Sequence, residues 1–224
     1  MMVRTMGKIG LWIVVAIALA GCRTWRQGST SGGKVVLWNG EDFSGWERFI
    51  PDASADVNDV WRARGEILYC TGKPNGYIRT ENPHQNYHLH VEWRWPDVPT
   101  NSGVLLHAEG PDQVWPKCIE CQLKAGSAGD FVLMGGAGLT VDGVDHQDAT
   151  RRFVVIGKKL PTSEKPAGQW NTYDIYCQGG SIRCFVNDVL QNEGTNATSQ
   201  SGWICFQSEG GPIEFRNIYL LPLE

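Results

Sequence analysis

Residues 88–130 read HLHVEWRWPDVPTNSGVLLHAEGPDQVWPKCIECQLKAGSAGD. Polar and apolar residues alternate here in three runs, the pattern of β-strands whose side chains point to opposite faces in turn. In the first run Leu89, Val91, Trp93 and Trp95 fall on one face, and His88, His90, Glu92 and Arg94 on the other. In the second, after the turn Asn101-Ser102-Gly103, His107 falls with Leu105, opposite Val104 and Leu106. In the third, Ile119, Cys121 and Leu123 share one face, and Cys118, Glu120, Gln122 and Lys124 the other. Polar-out alternation is ordinary in an antiparallel sheet with one solvated face. The mixture is less ordinary: two carboxylates, an imidazole, a guanidinium and an amide, with tryptophan nearby. The expectation is one sheet that presents Glu92, Arg94, His107, Glu120 and Gln122 together above an apolar underside.

The rest of the chain keeps this texture. Ile67 to Cys70 and Tyr77 to Thr80 are short strand-like runs, separated by a Gly/Pro/Asn loop. Asp130 to Met134 leads into Gly135-Gly136, and Gly138 to Gly143 with Arg152 to Ile156 reads as a further pair. Trp170 to Cys177 and Ser181 to Val186 form the clearest hairpin, across Gly179-Gly180. Trp203 to Gln207 and Ile213 to Leu221 complete the series. No segment carries a sustained apolar stripe at helical spacing, and 27 glycines punctuate the runs. An all-β sandwich or barrel is expected.

The first residues are of another kind. Arg4 and Lys8 precede the apolar run Leu11 to Ala20, which is too short for an ordinary membrane-spanning helix. Small residues and Cys22 follow. A charged start, an apolar core and a small-residue end define an export signal, and Leu19-Ala20-Gly21-Cys22 resembles the lipobox of bacterial lipoproteins. Three segments follow from this: a signal peptide over 1–21, a Gly/Ser/Thr-rich tether over 22–34, and a folded domain over 35–224. Lipid on Cys22 would be the only link to a membrane, and the domain would face the periplasm or the exterior. Loss of Arg4 and Lys8 moves the formal net charge from −4 to −6. An acidic domain without a basic stripe argues against nucleic acid as a partner.

Export permits disulfides among Cys70, Cys118, Cys121, Cys177, Cys184 and Cys205, with the pairing left open. Cys118-x-x-Cys121 lacks the second ligand pair of a zinc site, and on a strand its two thiols point to opposite faces. Asp142, Asp145, His146 and Asp148 crowd one loop without the spacing of a calcium-binding loop.

The decapeptide Leu37-Trp38-Asn39-Gly40-Glu41-Asp42-Phe43-Ser44-Gly45-Trp46 resembles the opening motif of the 3-keto-disaccharide hydrolase domain family. Further landmarks follow in the family's order: Glu92-Trp93-Arg94, Asn101-Ser102-Gly103-Val104, Glu120-Cys121-Gln122-Leu123, Gly168-Gln169-Trp170-Asn171, Gly202 to Gln207, and Phe215-Arg216-Asn217-Ile218. The resemblance implies a concanavalin A-like jelly roll of two curved antiparallel sheets, a carbohydrate groove, and activity on 3-keto-glycosides. Two departures stand out. Glu209-Gly210 replaces the His-Gly found in many members, and Lys124-Ala125-Gly126 replaces a stretch that often holds an Asp.

A ketone at C3 of a sugar acidifies the proton on C2, so a base can take it and the enolate can expel the C1 substituent. The chemistry needs a base, a group that stabilises the enolate oxygen, and a proton donor for the leaving oxygen. Glu120 is the expected base, and His107 a base or acid. Arg94 is expected to stabilise the oxygen with Glu92 orienting it, although Glu92 and Arg94 also fit a cross-strand ion pair. No cofactor is required; a divalent metal on His107 and a carboxylate could stand in for Arg94. Trp115 fits either a sugar-stacking platform or a core ring. Asn101, Gln122, Lys124, Gln207 and Glu209 are candidate ligands for an oxidised sugar, Asn101 being equally a turn former. Two other functions remain open: an ordinary two-carboxylate glycosidase using Glu92 and Glu120, and a sugar-binding module without catalysis.

Overall fold

The computed structural model describes residues 33–224. The expected signal peptide, Cys22 and most of the tether lie outside the described residues. Seventeen strands and one short helix make up the domain. The first half runs β1 (Val35–Val36), β2 (Trp46–Phe49), α1 (Val57–Val60), β3 (Trp61–Arg64), β4 (Ile67–Cys70), β5 (Gly76–Thr80), β6 (Tyr87–Arg94), β7 (Gly103–Glu109) and β8 (Lys117–Gln122). The second runs β9 (Phe131–Met134), β10 (Leu139–Val141), β11 (Val144–His146), β12 (Phe153–Ile156), β13 (Asn171–Gln178), β14 (Ser181–Val186), β15 (Val189–Gly194), β16 (Trp203–Ser208) and β17 (Ile213–Pro222).

Two antiparallel sheets hold nearly all of it. One has the order β15-β14-β13-β6-β17-β4-β3, with β1 also paired to β17, and the other the order β12-β9-β8-β7-β16-β5-β2. Their inner faces meet in one apolar layer. Leu89, Val91, Trp93, Tyr173, Ile175 and Phe215 of the first sheet pack against Val104, Leu106, Ile119, Phe131 and Phe206 of the second. The rings of Phe206 and Phe215 lie 4.9 Å apart across the layer. The β13–β14 hairpin forms where the sequence places it, with Gly179 in the left-handed region at the turn.

Three sequence expectations change. The strands of residues 88–122 do not share a sheet: β6 pairs with β13 and β17, whereas β7 and β8 pair with each other in the opposite sheet. Alternation sets which residues share a face of a strand, but it carries no information about which sheet the strand joins. Next, β10 pairs with β11 inside the supposed loop, and β12 pairs with β9. Finally, a register shift between Leu106 and Glu109 places a bulge at His107, whose φ is +53°. One extra residue in a strand re-aims the side chain. The His107 ring therefore turns away from the face of Leu105 and meets Tyr87, 5.7 Å off, beside the inter-sheet core.

All six cysteines of the domain are buried and free. Cys121 lies in the inter-sheet core and Cys118 on the other side of its sheet, as the alternation requires.

Candidate active site

The outer face of the seven-stranded sheet collects the polar groups of interest. Strand register aligns Glu47, Arg79, Cys205, Leu105, Glu120 and Val132 in a row across β2, β5, β16, β7, β8 and β9. Side chains opposite each other in antiparallel strands share a face. Glu120 is 3% exposed. A Cβ on Gly103 would stand 2.1 Å from its Oε1, so the glycine leaves the space the carboxyl occupies. That Oε1 is buried and makes no hydrogen bond. Burial, then the neighbouring charge of Glu209, pushes the Glu120 carboxyl well above its ordinary range. Burial thus favours the protonated form of this carboxyl.

Glu209 is brought to Glu120 by the β16–β17 turn. Gly210, in the left-handed region, passes so close to residue 101 that a Cβ would meet the Asn101 backbone nitrogen at 2.9 Å. Burial raises the Glu209 carboxyl, while a hydrogen bond from Asn101 and the charge of Lys124 oppose the shift. Gln207 is buried on the same side, and its Oε1 has no partner; nor has Oδ1 of Asn101. Ser102 Oγ donates to the Gln207 carbonyl at 2.8 Å, fastening the β7 start to the β16 end. Two carboxyl groups thus meet beside Asn101, Gln207 and Lys124, with buried oxygens that are unpartnered. Buried polar atoms are normally hydrogen-bonded, so these oxygens mark where a polar ligand would find partners.

Two aromatic groups share this outer face. Trp115 packs on the outer apolar cluster of Leu105, Cys118, Val132 and Met134. Arg152 lies over its ring at 4.9 Å, Phe153 meets it edge-on at 5.7 Å, and a cavity of about 510 Å³ opens against Trp115, Arg151 and Arg152. Trp115 is thus neither a core ring nor fully exposed. In the second, Arg79 lies over Trp203 at 4.0 Å and is paired with Glu47 and Asp112, while Tyr77 donates to Asp112 at 2.6 Å. Sequence reading missed Tyr77, Arg79, Asp112 and Trp203. The alternation Tyr77-Ile78-Arg79 carried the signal for the first two, since Ile78 packs inward.

Other expected residues do not join the site. Glu92 and Arg94 lie on the outer face of the eight-stranded sheet, beyond both sheets, whose packing separation is about 10 Å. There they form ion pairs. Arg94 Nε donates to Glu214 at 2.6 Å, and Arg216 Nε donates to Glu92 at 2.7 Å. Both guanidinium groups cover Trp170, at 4.5 and 4.0 Å. Glu92 and Arg94 are each matched by a partner on β17, Glu214 for Arg94 and Arg216 for Glu92, so both stand in cross-strand ion pairs. His107 is buried, and its Nδ1–H donates to the Ser199 carbonyl at 3.0 Å. Burial lowers its pKa to about 4, against the opposing pull of Ser199 and Glu109. Its Nε2 is buried without a hydrogen-bond partner, and the ring packs on Tyr87 beside the inter-sheet core. Gln122 shares the face of Glu120, but its Oε1 accepts the backbone N–H groups of Leu123 and Lys124, both at 2.9 Å, so it fixes its own turn.

Two antiparallel sheets packed face to face make a jelly-roll domain, here with a polar outer face. Residues 33–221 match the family model of the 3-keto-alpha-glucoside-1,2-lyase-like domain, and the chain belongs to that family. Solved structures of the same fold include a Parabacteroides distasonis protein classed only provisionally as a glycosyl hydrolase, with TM-score 0.63 and 18% identity, covering 86% of this chain and 94% of that one. The Bacillus licheniformis beta-glucanase has TM-score 0.55 and 14% identity, covering 87% and 100%. The Bacillus subtilis carbohydrate binding module CBM66 has TM-score 0.55 and 11% identity, covering 78% and 93%. No curated protein matches the chain by sequence.

Proposed function

We propose that this protein cleaves 3-keto-glycosides, with Glu120 and Glu209 as its proton-transfer pair. The observation that carries the reading is the buried Glu120 carboxyl, whose Oε1 has no partner, close enough to the half-buried Glu209 for its charge to be felt. Two carboxyl groups with different environments divide into an acid and a base. Glu209, raised by burial but less enclosed than Glu120 and eased by Asn101 and Lys124, takes the proton from C2. The electron pair moves into the C3 carbonyl, and the enolate collapses to expel the C1 oxygen, which Glu120 protonates. The result is a 1,2-unsaturated 3-keto sugar and a free alcohol; addition of water to the alkene would complete a net hydrolysis. In this reading Gln207 and Lys124 bind the sugar, and Trp115 stacks on it. This revises the expected role of Glu120 from base to acid, because burial opposes its ionisation.

The family description names a 1,2-lyase of 3-keto-alpha-glucosides, which supports the ketone requirement. The test is turnover of a 3-keto-disaccharide labelled with deuterium at C2, with the unoxidised disaccharide alongside. Cleavage of the oxidised sugar only, with loss of deuterium, is expected. Retained deuterium would reject the elimination. Cleavage of the plain sugar would favour an ordinary two-carboxylate glycosidase, and binding without cleavage a carbohydrate-binding module, the activity in the name of one structural neighbour.

Export and lipid anchoring through Cys22 are also proposed, on the strength of residues 1–22 alone. Incorporation of a labelled fatty acid that Cys22→Ser abolishes is the expected result; label retained in the variant would exclude the anchor.

A further inference from the structure

We propose that His88, His90 and Asp174 bind a divalent transition-metal ion of the zinc class, on the outer face of the eight-stranded sheet. The site is remote from Glu120, with the inter-sheet core between them. Among the described residues these three offer one ligand atom each within 4.8 Å of one another. The arrangement follows from the strands. His88 and His90 are two apart on β6 and so share a face, and register puts Asp174 of β13 directly opposite His90. Asp174 Oδ1 lies 2.7 Å from His88 Nε2 and 2.8 Å from His90 Nδ1.

Both imidazoles are held in orientation before any ion arrives. His88 stacks on its cross-strand neighbour Tyr176 at 4.1 Å and 9° between planes. His90 stacks on Tyr219 at 4.8 Å and 22°. Parallel stacking fixes each ring plane and leaves one nitrogen aimed at the carboxylate. Bonds of about 2.0–2.2 Å in a tetrahedral site place ligand atoms roughly 3.3 Å apart. The two N···O distances would open by about half an ångström, within reach of a carboxylate rotation. The side chains are 14%, 15% and 18% exposed, so solvent can supply the fourth ligand.

Two neutral imidazoles and one carboxylate suit zinc, cobalt or nickel and not magnesium or calcium, which ask for more oxygen ligands. The ion takes the place of the inward-pointing protons. In a neutral imidazole that proton reappears on the outward nitrogen through solvent; an imidazolium releases one instead. Lys34 Nζ, 3.7 Å from the centre of the Tyr219 ring, and Arg183 over Tyr176 add positive charge nearby and keep the affinity moderate.

The test is titration of the full chain, without an affinity tag, with Co²⁺ followed by visible absorption. One ion per chain with tetrahedral bands is expected, and His90→Ala or Asp174→Asn should weaken binding by at least about tenfold. Glu120→Gln should bind as the native protein does. Absence of the bands, or binding undiminished in both variants, would overturn the proposal, as would loss in Glu120→Gln alone. Should the variants fail to fold, histidine ring nitrogen shifts of the native chain with Zn²⁺ decide the matter. Inward nitrogens of His88 and His90 should move while His84, His107 and His146 stay; any other pattern refutes the site.

Discussion

The side chain that Gly103 lacks is the space in which the Glu120 carboxyl sits, a Cβ there falling 2.1 Å from Oε1. Gly103→Ala therefore displaces the carboxyl and leaves the β7–β8 ladder in place, because the clash is with the far end of a side chain. A misplacement of about 1 Å can lower turnover about a hundredfold. That loss, with a nearly unchanged melting temperature, is expected in kinetics on the 3-keto substrate.

Glu120→Gln separates catalysis from stability. Removing the proton donor should lower kcat by about 10²–10⁴. Stability should move the other way. The Glu120 carboxyl is raised in the fold, so above its ordinary value near 4.5 the unfolded chain releases the proton first. The native protein loses stability as pH climbs from there toward the raised value, and the glutamine variant does not. Melting temperatures from pH 4 upward should diverge in favour of Glu120→Gln.

His107 gives the opposite slope. Its pKa falls from 6.5 to about 4 on folding, so between those values the unfolded chain binds more protons and stability drops as pH falls. The loss is on the order of 3 kcal/mol across the window. His107→Gln should flatten this acid limb in urea titrations and leave kcat within about twofold, as a group outside the reacting centre requires.

Glu92→Gln and Arg94→Met touch partly exposed ion pairs on the far face. Each is expected to shift stability by about 1 kcal/mol or less and to leave kcat and KM unchanged. Parallel kinetics on both variants check this; a large fall in kcat would return these residues to the reaction.

Trp115→Ala should raise KM roughly tenfold, the equivalent of one 1.4 kcal/mol contact, with kcat little changed. In the proposed reading the ring stacks on the sugar and takes no part in breaking the bond.

Much of the molecule was legible at the level of the single strand. Inward Leu89, Val91 and Trp93, inward Ile119 and Cys121, and the β13–β14 hairpin all follow from period-two alternation. The grouping of strands was not, because β6 meets β17 from more than a hundred residues away, and no local pattern reports that pairing. The site shows the same division. Glu120, Asn101, Gln207 and Glu209 were singled out and do assemble. Sheet membership sets Arg94 and Glu92 apart from them, and one bulged residue turns His107 off their face. Arg79 was overlooked although alternation sets it opposite inward Ile78; its pairing with Glu47 and Asp112 joins segments that no local pattern connects.

The six buried cysteines have a practical consequence. Burial pushes the Cys70 thiol up to about 12 and raises those of Cys118, Cys121, Cys177 and Cys205 further. Alkylating reagents react with thiolate, so in the native state these sulfurs are protected both by packing and by protonation. Cys70 and Cys177 belong to one sheet, Cys118 and Cys205 to the other. Labelling rates followed cysteine by cysteine would then time the opening of each sheet separately, a built-in clock for whether the sandwich unfolds as one unit or two.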